Sequence, residues 1–455
     1  MKNIRLMTAA LLATALPTFA FAQTPDDPAA LRDAALKDEI AWDIVEGLTT
    51  EVGSRLAGTE TEARARQWAV TKLTALGFSN VRIEEFQMPV WVRGEEMGSV
   101  VSPYPQNLAL TALGNSASTG EQGLEGELIY FPTLEALKTA SANSLHGKIV
   151  FLDHAMNRTQ DGSSYEAFGP ARFSGPSVAA QKGAAAIVIR SVGTDSHRNP
   201  HTGVTDFEKG VKPIPAAALS NPDADNLFRM VKRGQAIRLR LKLTPRPVGR
   251  RTSGNVIAEV PGSDPSAGVV VVAGHLDSWD LGTGAVDDGA GIAIVAAAAK
   301  RIMVSGTPRR TIRVLWAGAE EVGAYGGDAY AATHGGEKHA LVMESDFGAD
   351  RVWQIEFNFP KAASGLRDRL AAAVAPLGIG KGKGEANGGA DINALIKKGA
   401  SVVDLRQDGT RYFDLHHTPD DTLDKIDPEQ LAQNVAAWTA VLAIAANAPD
   451  KLGNE

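Results

Sequence analysis

The sequence predicts an α/β protein with a mixed, mostly parallel sheet flanked by helices and a small β-rich domain inserted into it. Strand-like and helix-like segments alternate from residue 255 onward, a pattern typical of parallel sheets covered by helices. Between residues 124 and 245 the pattern changes to short β-type runs separated by Gly, Pro and polar loops. The run from Val269 to Val272 carries no charge, as expected for a central strand that is buried on both faces.

Length and composition limit the class of protein. The 455 residues exceed the size at which one hydrophobic core keeps growing, so we expect at least two domains. With 44% hydrophobic and 22% charged residues, the composition is that of an ordinary globular protein. A formal net charge of -7 without a basic stretch argues against nucleic-acid binding. Because the chain has no cysteine, any metal site must use His, Asp and Glu side chains.

Residues 1–22 have the features of a secretory signal peptide. Lys2 and Arg5 give a basic start, residues 6–19 are mostly apolar, and Ala-Phe-Ala at residues 20–22 suits signal peptidase. The alternative is a membrane anchor, which needs about 20 apolar residues, more than this run provides. We therefore expect cleavage near Ala22 and an exported protein, periplasmic or extracellular, without a membrane span.

The rest of the chain divides into three segments. Residues 23–123 and 246–455 are assigned to the main α/β domain, and residues 124–245 to the inserted domain, unless the strands of the middle segment simply extend the main sheet. Helices are predicted at residues 27–50, 59–77, 175–183, 289–303, 365–375, 392–398 (capped by Asp391) and 427–446. Strands are predicted at residues 81–86, 90–92, 127–131, 148–152, 185–189, 238–243, 255–260, 269–272, 311–316, 340–343, 354–357 and 401–405.

Three predicted strands of the main domain lead directly into acids or histidines. The residues concerned are His275 after the first of these strands, Glu320 and Glu321 after the second, and Glu344 and Asp346 after the third. Parallel strands bring their carboxyl ends to one edge of a sheet, so we expect these side chains to converge. A polar loop before the final helix adds two adjacent histidines, His416 and His417.

Each of these residues also has an ordinary structural explanation. Asp287 and Asp288 suit the N-cap of the following helix, and adjacent glutamates suit an acidic first helical turn. Four acids at one sheet edge, however, repel one another unless a positive charge lies among them. Zinc supplies such a charge and accepts imidazole nitrogen and carboxylate oxygen. The number of available ligands suggests two ions, held by His275, Asp346, Glu321, His417 and a shared Asp287.

Four motifs and the inserted segment resemble one known family. The motifs are HLDSWDLGTGAVDDGAG (275–291), AGAEEVGAYG (317–326), MESD (343–346) and HHTPDDT (416–422). They are similar in order and spacing to those of the co-catalytic zinc exopeptidases of the bacterial aminopeptidase and carboxypeptidase Q group. HGKIVFLD (146–153) and QKGAAAIVI (181–189) resemble the protease-associated domain of that group. The resemblance covers essentially the whole mature chain and implies the zinc exopeptidase fold.

The resemblance also implies a role for each candidate residue. It makes His275, Asp287, Glu321, Asp346 and His417 the ligands of two Zn²⁺ ions per chain, with Asp287 bridging, and it makes Glu320 the general base. Asp277 would support the His275 imidazole, and Asp421 the His417 loop. His417 is preferred to His416 as ligand because it directly precedes Thr-Pro, which leaves His416 a packing or substrate-contact role.

A geometric argument independently separates Glu320 from Glu321. Adjacent residues entering a helix point about 100° apart, so one carboxylate can bind metal while its neighbour faces a bound water. On this basis Glu320 takes a proton from water, and its protonated form later donates to the leaving amine.

The expected activity is hydrolysis of peptide bonds in short peptides or dipeptides, by an aminopeptidase, dipeptidase or carboxypeptidase Q-like enzyme. The residues leave open which peptide terminus is recognised. Two other interpretations are a glutaminyl cyclase-like enzyme with one zinc and a non-catalytic peptide-binding or receptor-like protein.

The resemblance further implies a homodimer, with Trp279 and Asp280 either at the mouth of the site or in a subunit contact. Residues 411–413 either line the pocket or have a structural role.

Overall fold

A computed structural model describes residues 27–453, which form two eight-stranded sheets and the helices packed on them. The predicted signal peptide and its cleavage site at Ala22 lie outside the described residues. Within residues 27–453, the helices are all too short or too polar to cross a membrane.

The strands and helices are numbered along the chain. The strands are β1 (Ser79–Val92), β2 (Glu96–Ser102), β3 (Gln106–Leu108), β4 (Leu110–Ala112), β5 (Leu124–Phe131), β6 (Ile149–Leu152), β7 (Ala186–Arg190), β8 (Ala216–Leu219), β9 (Arg238–Leu243), β10 (Arg246–Val260), β11 (Val269–His275), β12 (Thr311–Ala317), β13 (His339–Glu344), β14 (Val352–Asn358), β15 (Gly380–Lys381) and β16 (Ser401–Gln407). The helices are α1 (Pro28–Ala35), α2 (Ile40–Gly47), α3 (Glu60–Ala75), α4 (Leu134–Lys138), α5 (Ser163–Phe168), α6 (Pro170–Phe173), α7 (Gly175–Gln181), α8 (Asn221–Val231), α9 (Ala290–Ser305), α10 (Tyr325–His334), α11 (Ser364–Val374), α12 (Asn393–Lys397), α13 (Tyr412–Leu415) and α14 (Pro428–Ala445).

The main sheet has the strand order β1-β10-β12-β11-β13-β16-β14-β15. Its centre, from β12 to β16, is parallel, whereas β1 with β10, β10 with β12, and β14 with β16 pair antiparallel. The predicted mixed, mostly parallel sheet is therefore confirmed. Because β12, β11 and β13 are parallel neighbours, their carboxyl ends lie together at one edge of the sheet.

Helices cover both faces of this sheet, as the alternating pattern predicts. Val270 and Val272 of β11 belong to the core that contains α9 and α14, whereas Val271 and Ala273 belong to the core that contains α10 and α12. Successive residues of a strand point to opposite faces, so both faces of β11 must be apolar. This burial explains why the strand carries no charge until His275 at its end.

The middle of the chain forms a second sheet with the order β3-β2-β9-β5-β6-β7-β8-β4 and its own apolar core. The strands predicted between residues 127 and 243 lie in this sheet and do not extend the main one. The sheet also takes β2, β3 and β4 from residues 96–112, upstream of the predicted inserted segment. Its correspondence to a protease-associated domain stays a prediction.

The expectation of one clear helix in this region is wrong, because α4 to α8 all belong to it. The start of α8 follows ordinary capping rules: Ser220 accepts a hydrogen bond from Asp223 N, and a proline lies in the first turn. Strand β8 has the sequence Ala-Ala-Ala-Leu, which carries little β propensity and is held by pairing with β7 and β4.

Two predictions for the first ninety residues also differ from the structure. The helix predicted over residues 27–50 is interrupted between α1 and α2, where Asp38 accepts a hydrogen bond from Ile40 N at 2.6 Å, and it ends in a π-helical turn, Leu48–Val52. The two strands predicted at 81–86 and 90–92 are one strand, β1. Pro89 is tolerated within it because β1 is an edge strand with ladder partners on one side only.

Candidate active site and metal centre

The structure brings the five candidate ligands together at the carboxyl edge of the main sheet. His275 is the last residue of β11, and Asp346 follows the end of β13, the parallel neighbour of β11. Glu321 follows β12 on the other side of β11. His417 does not follow a strand of the sheet and lies in the loop after α13. Adjacent strands therefore place most of the site, and one loop completes it.

Asp287 lies between the two histidines and faces both. His275 Nε2 lies 3.2 Å from Asp287 Oδ1 and 3.4 Å from Asp346 Oδ1. His417 Nε2 lies 3.3 Å from Asp287 Oδ2 and 2.9 Å from Glu321 Oε2. Each oxygen of the Asp287 carboxylate thus belongs to a different group of three side chains. This is the arrangement required of a carboxylate that bridges two metal ions.

The spacing within each group suits zinc. Donor atoms around a tetrahedral ion with bonds of about 2.0–2.2 Å lie roughly 3.4 Å apart, close to the separations between the two histidines and their carboxylates. Glu321 Oε1 is buried without a hydrogen-bond partner, as expected of an oxygen suited to a metal rather than to a protein donor. The donor set therefore fits two zinc positions.

Backbone carbonyls orient both imidazoles. His275 Nδ1 lies 3.0 Å from the carbonyl oxygen of Asp277, and His417 Nδ1 lies 3.2 Å from that of Thr202. A carbonyl only accepts, so His275 Nδ1–H donates to it and His275 Nε2 keeps its lone pair for a metal. His417 Nδ1 also lies 3.3 Å from Arg172 Nη1, which only donates. The predicted support of His275 by Asp277 thus comes from its backbone. The Asp277 carboxylate lies 3.8 Å from His275 Nδ1 and instead accepts from Glu320 N at 3.1 Å.

The adjacent acids Asp287 and Asp288 divide two roles between them. Asp288 Oδ1 accepts from Gly291 N at 3.1 Å, and its Oδ2 accepts from His275 N at 3.0 Å. Asp288 therefore satisfies the start of α9, the role that the sequence also allowed for Asp287. Asp287 is left free to face His275 and His417. The peptide bond between the two acids is cis.

Asp421 supports a different part of the site from the one expected. Its carboxylate accepts from Val286 N at 2.6 Å and from Asp287 N at 3.2 Å. The predicted support of the His417 loop is therefore corrected: Asp421 holds the backbone that carries the shared carboxylate. Burial and the nearby Asp287 raise the pKa of Asp421 to about 7.

Arg55 holds the loop that connects His275 to Asp287. Its fully buried guanidinium donates to the carbonyl oxygens of Leu276 at 2.5 Å, Thr283 at 2.6 Å and Gly284 at 2.9 Å. Arg55 lies in a loop-type stretch of sequence, GSRLAGT (53–59). A charged residue between glycines was the available signal, but its partners lie more than two hundred residues away.

Glu320 and Glu321 lie in a turn rather than in a helix. Helix α10 begins only at Tyr325, because Gly323 and Ala324 adopt positive φ angles of 132° and 53°. The helical argument for separating the two glutamates is therefore wrong, although their side chains do diverge. Glu321 faces His417, whereas Glu320 groups with His275 and Asp346. Both glutamates line the same cavity.

His416 lies beside the site but in a poorer position than His417. Its Nε2 is 3.7 Å from Asp287 Oδ2, and its ring stacks on that of His417 with centroids 3.5 Å apart. The rings of Tyr165, Tyr412 and Phe413 surround it. Burial, together with the neighbouring His417, lowers the pKa of His416 well below its usual value. His417 therefore has the better geometry for a ligand, and His416 the better geometry for packing.

The electrostatics of the site favour a bound cation. Burial raises the pKa values of Glu320, Glu321 and Asp346, because it disfavours their charged forms. Burial opposes charge on His417 as well, but the carboxylates of Glu321 and Asp287 outweigh it and raise the pKa of His417 to about 9. In the metal-free protein, protons bound to these side chains therefore supply the positive charge that offsets the buried carboxylates.

A cavity of about 380 Å³ opens onto these residues. Its walls include Tyr412 and Phe413, as the pocket-lining prediction for residues 411–413 suggested, whereas Arg411 pairs with Asp350 at 2.6 Å outside it. The region of the second sheet contributes Tyr165 and Arg172, which the sequence did not single out.

Trp279 and Asp280 both make contacts within the chain, and their part in a subunit contact stays a prediction. The Trp279 ring is buried and lies 5.8 Å from the ring of His417. Both carboxylate oxygens of Asp280 accept from Arg93 at 2.8 Å. Both side chains are thus used within the chain.

Glu344 and Asp391 form a second acidic layer beside the site. Glu344 Oε2 accepts from Ile392 N at 3.1 Å and does not reach the histidines that face Asp287. The prediction that Asp391 caps the following helix is wrong, because Ile392 is the N-cap of α12 and no side chain bonds there. The Asp391 carboxyl is buried without a hydrogen-bond partner, and burial raises its pKa to about 8.

The sequence and structure of this chain are similar to those of known peptidases. A model of peptidase family M28 matches residues 255–442, the part that carries the candidate ligands. Carboxypeptidase Q of Bos taurus is 34% identical over 409 residues, which cover 89% of this chain and 85% of the relative. A solved peptidase M28 precursor from Shewanella amazonensis is 47% identical, has a TM-score of 0.91, and matches over 93% of this chain and 97% of that chain.

A zinc aminopeptidase from Bacillus subtilis shares the fold at 22% identity, with a TM-score of 0.63 over 90% of this chain and 95% of that chain. The identity to carboxypeptidase Q extends over most of both chains, far beyond the site itself. On these grounds the chain belongs to peptidase family M28.

Proposed function

We propose that this zinc metallopeptidase is an exported exopeptidase that uses two zinc ions to hydrolyse short peptides or dipeptides, with Glu320 as the general base. Membership of family M28 makes the chain a peptide hydrolase, and the carboxypeptidase and aminopeptidase relatives favour action at a peptide terminus. The observation that carries the two-ion proposal is the position of Asp287, whose two oxygens face His275 and His417 respectively.

Two groups of side chains would hold the ions. His275, Asp287 and Asp346 would hold one, and His417, Asp287 and Glu321 the other. When bound, the ions would supply Lewis acidity that lowers the pKa of water and polarises the peptide carbonyl. Asp288 and Asp421 hold the backbone of this centre in place through their hydrogen bonds to His275 N and Asp287 N.

Glu320 would move the proton. Its backbone N–H is anchored on Asp277, and its side chain lines the cavity beside Asp346. In the metal-free protein, burial raises the pKa of Glu320 well above its ordinary value. In the proposed reaction it removes a proton from the attacking water and donates it to the nitrogen of the leaving amine.

The test is hydrolysis of a peptide panel by the full chain. The panel contains free dipeptides, N-blocked dipeptides and C-amidated dipeptides, and each is assayed after zinc loading, after chelation and after zinc is restored. We expect cleavage that is lost on chelation and recovered with zinc. Activity that persists unchanged in the chelated protein would contradict the proposal. The relative rates on blocked and free termini identify the end of the peptide that is recognised.

The same panel separates the other interpretations. On a peptide with N-terminal glutamine, glutaminyl cyclase-like activity would release ammonia and leave an uncleaved pyroglutamyl peptide of lower mass. A receptor-like protein would bind peptides without turning any of them over.

Export is tested by N-terminal sequencing of the protein from the periplasmic fraction or medium, where we expect a start near residue 23. Light scattering tests the proposed homodimer.

A further inference from the structure

The loop that carries His417 is held by a segment from the region of the second sheet, residues 191–205. Thr202 N donates to the carbonyl oxygen of His417 at 3.0 Å, and the Thr202 carbonyl lies 3.2 Å from His417 Nδ1. Farther along, Thr194 N donates to the carbonyl of Phe413 at 2.9 Å. The candidate ligand is therefore contacted through both its main chain and its side chain by one distant segment.

The residue next to Thr202 makes a second contact, to the other side of His417. His201 Nδ1 lies 2.6 Å from the carbonyl oxygen of His416, and His201 Nε2 lies 2.6 Å from Asp195 Oδ1. Both side chains are fully buried. Each ring nitrogen therefore faces an oxygen, and the ring is held between the His416 carbonyl and the Asp195 carboxylate.

The Asp195 carboxylate is itself held as an acceptor. Its Oδ1 also receives Asn221 Nδ2 at 3.1 Å, and its Oδ2 receives His197 N at 2.9 Å. Gly193 allows the ring of His201 to approach, since a Cβ at that position would lie 2.2 Å from the imidazole. Burying such a pair costs free energy, and a hydrophobic pair of the same size would serve packing equally well. A role in positioning would explain why this place holds a polar pair and not a hydrophobic one.

His417 needs such positioning because its backbone is strained. Its φ is 60°, in the left-handed region that histidine rarely adopts. The two peptide planes on either side of its Cα carry the carbonyls of His416 and His417. His201 holds the first and Thr202 N holds the second, so together they set the direction in which the His417 side chain leaves the chain.

We infer that the buried His201–Asp195 pair positions His417, so that one of the two metal positions depends on the connection between β7 and β8 of the second sheet. The pair touches neither the metal positions nor the cavity, and it acts through the His416 carbonyl. This role rests on the proposed function, since it concerns His417 as a ligand.

The test compares zinc binding by the full chain and two variants. The metal-free protein is titrated with Zn²⁺ against a chromophoric chelator, and separately with Co²⁺, whose visible absorption reports the geometry of each site. In His201→Gln, a single amide group replaces a ring whose two nitrogens contact the His416 carbonyl and the Asp195 carboxylate. We expect one site to weaken about 10- to 100-fold, the usual cost of losing a partner behind a ligand, while the other keeps its wild-type affinity. For a cleaved dipeptide at saturating zinc, we expect kcat to fall and KM to stay close to wild type.

Asp195→Asn is the conservative variant. In either orientation of its amide, the NH2 group faces a donor, Asn221 Nδ2 or His197 N, so the contacts that hold His201 are weakened but not removed. We expect the same site to be affected, with a smaller loss than in His201→Gln. If His201→Gln does not fold, Asp195→Asn alone decides: a selective loss at one site supports the positioning role, and unchanged affinities at both sites overturn it.

Glu259→Gln is the matched control. It disrupts another buried ion pair, Glu259 with Arg313 in the main sheet, and the remaining contacts of Arg313 go to Tyr330 and Glu337. We expect a lower melting temperature but two wild-type zinc affinities. The inference is overturned if His201→Gln binds both zinc ions as tightly as wild type, or weakens both sites equally. A wild-type chain that binds fewer than two zinc ions refutes the proposed function instead.

Discussion

The two halves of the candidate metal site, one around His275 and the other around His417, are held in different ways. His275 ends β11 and Asp346 follows the neighbouring parallel strand β13, so the sheet itself positions the first half. His417 lies in a loop with a positive φ, and its backbone is held by residues 191–205. A strand end positions a ligand through regular pairing, whereas a loop ligand depends on contacts from elsewhere in the chain.

Asp287 belongs to both halves, so we expect its substitution to have the largest effect. Asp287→Asn keeps the size of the side chain but removes the charge that faces both histidines. Both zinc ions should bind more weakly. Activity on a dipeptide should fall roughly a thousandfold or more, because a bound metal contributes several kcal/mol to transition-state stabilisation. The measurements are zinc content by mass spectrometry and kcat/KM.

The adjacent residue supplies the control for this change. Asp288→Asn removes one of the two acceptors that Asp288 offers to Gly291 N and His275 N, and it leaves the Asp287 carboxylate unchanged. It should be less stable than wild type and lose some zinc affinity at the His275 half, but far less than Asp287→Asn loses. Wild-type zinc affinity in Asp287→Asn would exclude a shared ligand at this position.

Substitutions of Glu320 and Glu321 should change different properties, turnover in the first case and metal binding in the second. Glu320→Gln should retain both zinc ions and lose turnover by about 10²- to 10⁴-fold, because the variant cannot accept a proton. Glu321→Gln should instead lose affinity at the His417 half, whose Nε2 lies 2.9 Å from Glu321 Oε2. The readouts are kcat at saturating zinc and zinc stoichiometry. Zinc loss in Glu320→Gln as large as in Glu321→Gln would refute the general-base role.

A substitution of Arg55 tests how much its hydrogen bonds stabilise the loop of the His275 half. Arg55→Met leaves the buried carbonyls of Leu276, Thr283 and Gly284 without their donor. We expect the free energy of unfolding of the metal-free protein to fall by on the order of 3 kcal/mol. Denaturant melts measure this change. The exposed Arg251→Met is the control and should change stability by less than about 0.5 kcal/mol; equal effects would contradict a special role for Arg55.

Proton release on zinc binding is the smallest effect expected. The pKa of His417 is raised to about 9 in the metal-free protein, so its imidazole is protonated at pH 7.5 and must lose that proton to bind zinc. Calorimetry in two buffers of different ionisation enthalpy should detect this release, and it should decline above pH 9. His417→Gln should release fewer protons than wild type. A binding enthalpy independent of buffer at pH 7.5 would contradict the raised pKa.

Much of the fold and the convergence of the site residues were predictable. The charge-free run before His275 predicted a buried parallel strand, and parallel strands must bring Glu320 and Asp346 to the same edge. Details that depend on local turns were not. The helix after Glu321 starts late because Ala324 adopts a left-handed conformation, which an alanine gives no reason to expect.

Contacts between distant segments were also beyond sequence reasoning. Asp421 lies close to His417 in sequence, and this proximity suggested the wrong partner. In the structure, its carboxylate binds the backbone at Asp287, 134 residues away. Arg55 and His201 carry no local pattern that indicates the carbonyls of Leu276 and His416 as partners, because these two hydrogen bonds span more than two hundred residues.

The sequence by itself determined the donor types, their order along the chain and the strands that deliver most of them, because periodicity and the absence of cysteine are local properties. Only the tertiary structure decided that Asp287 faces inward while Asp288 accepts from Gly291 N at the start of α9, that His417 is better placed than His416, and that residues 191–205 hold the His417 loop. These choices depend on hydrogen bonds between segments that are far apart in the sequence and adjacent only in the folded chain.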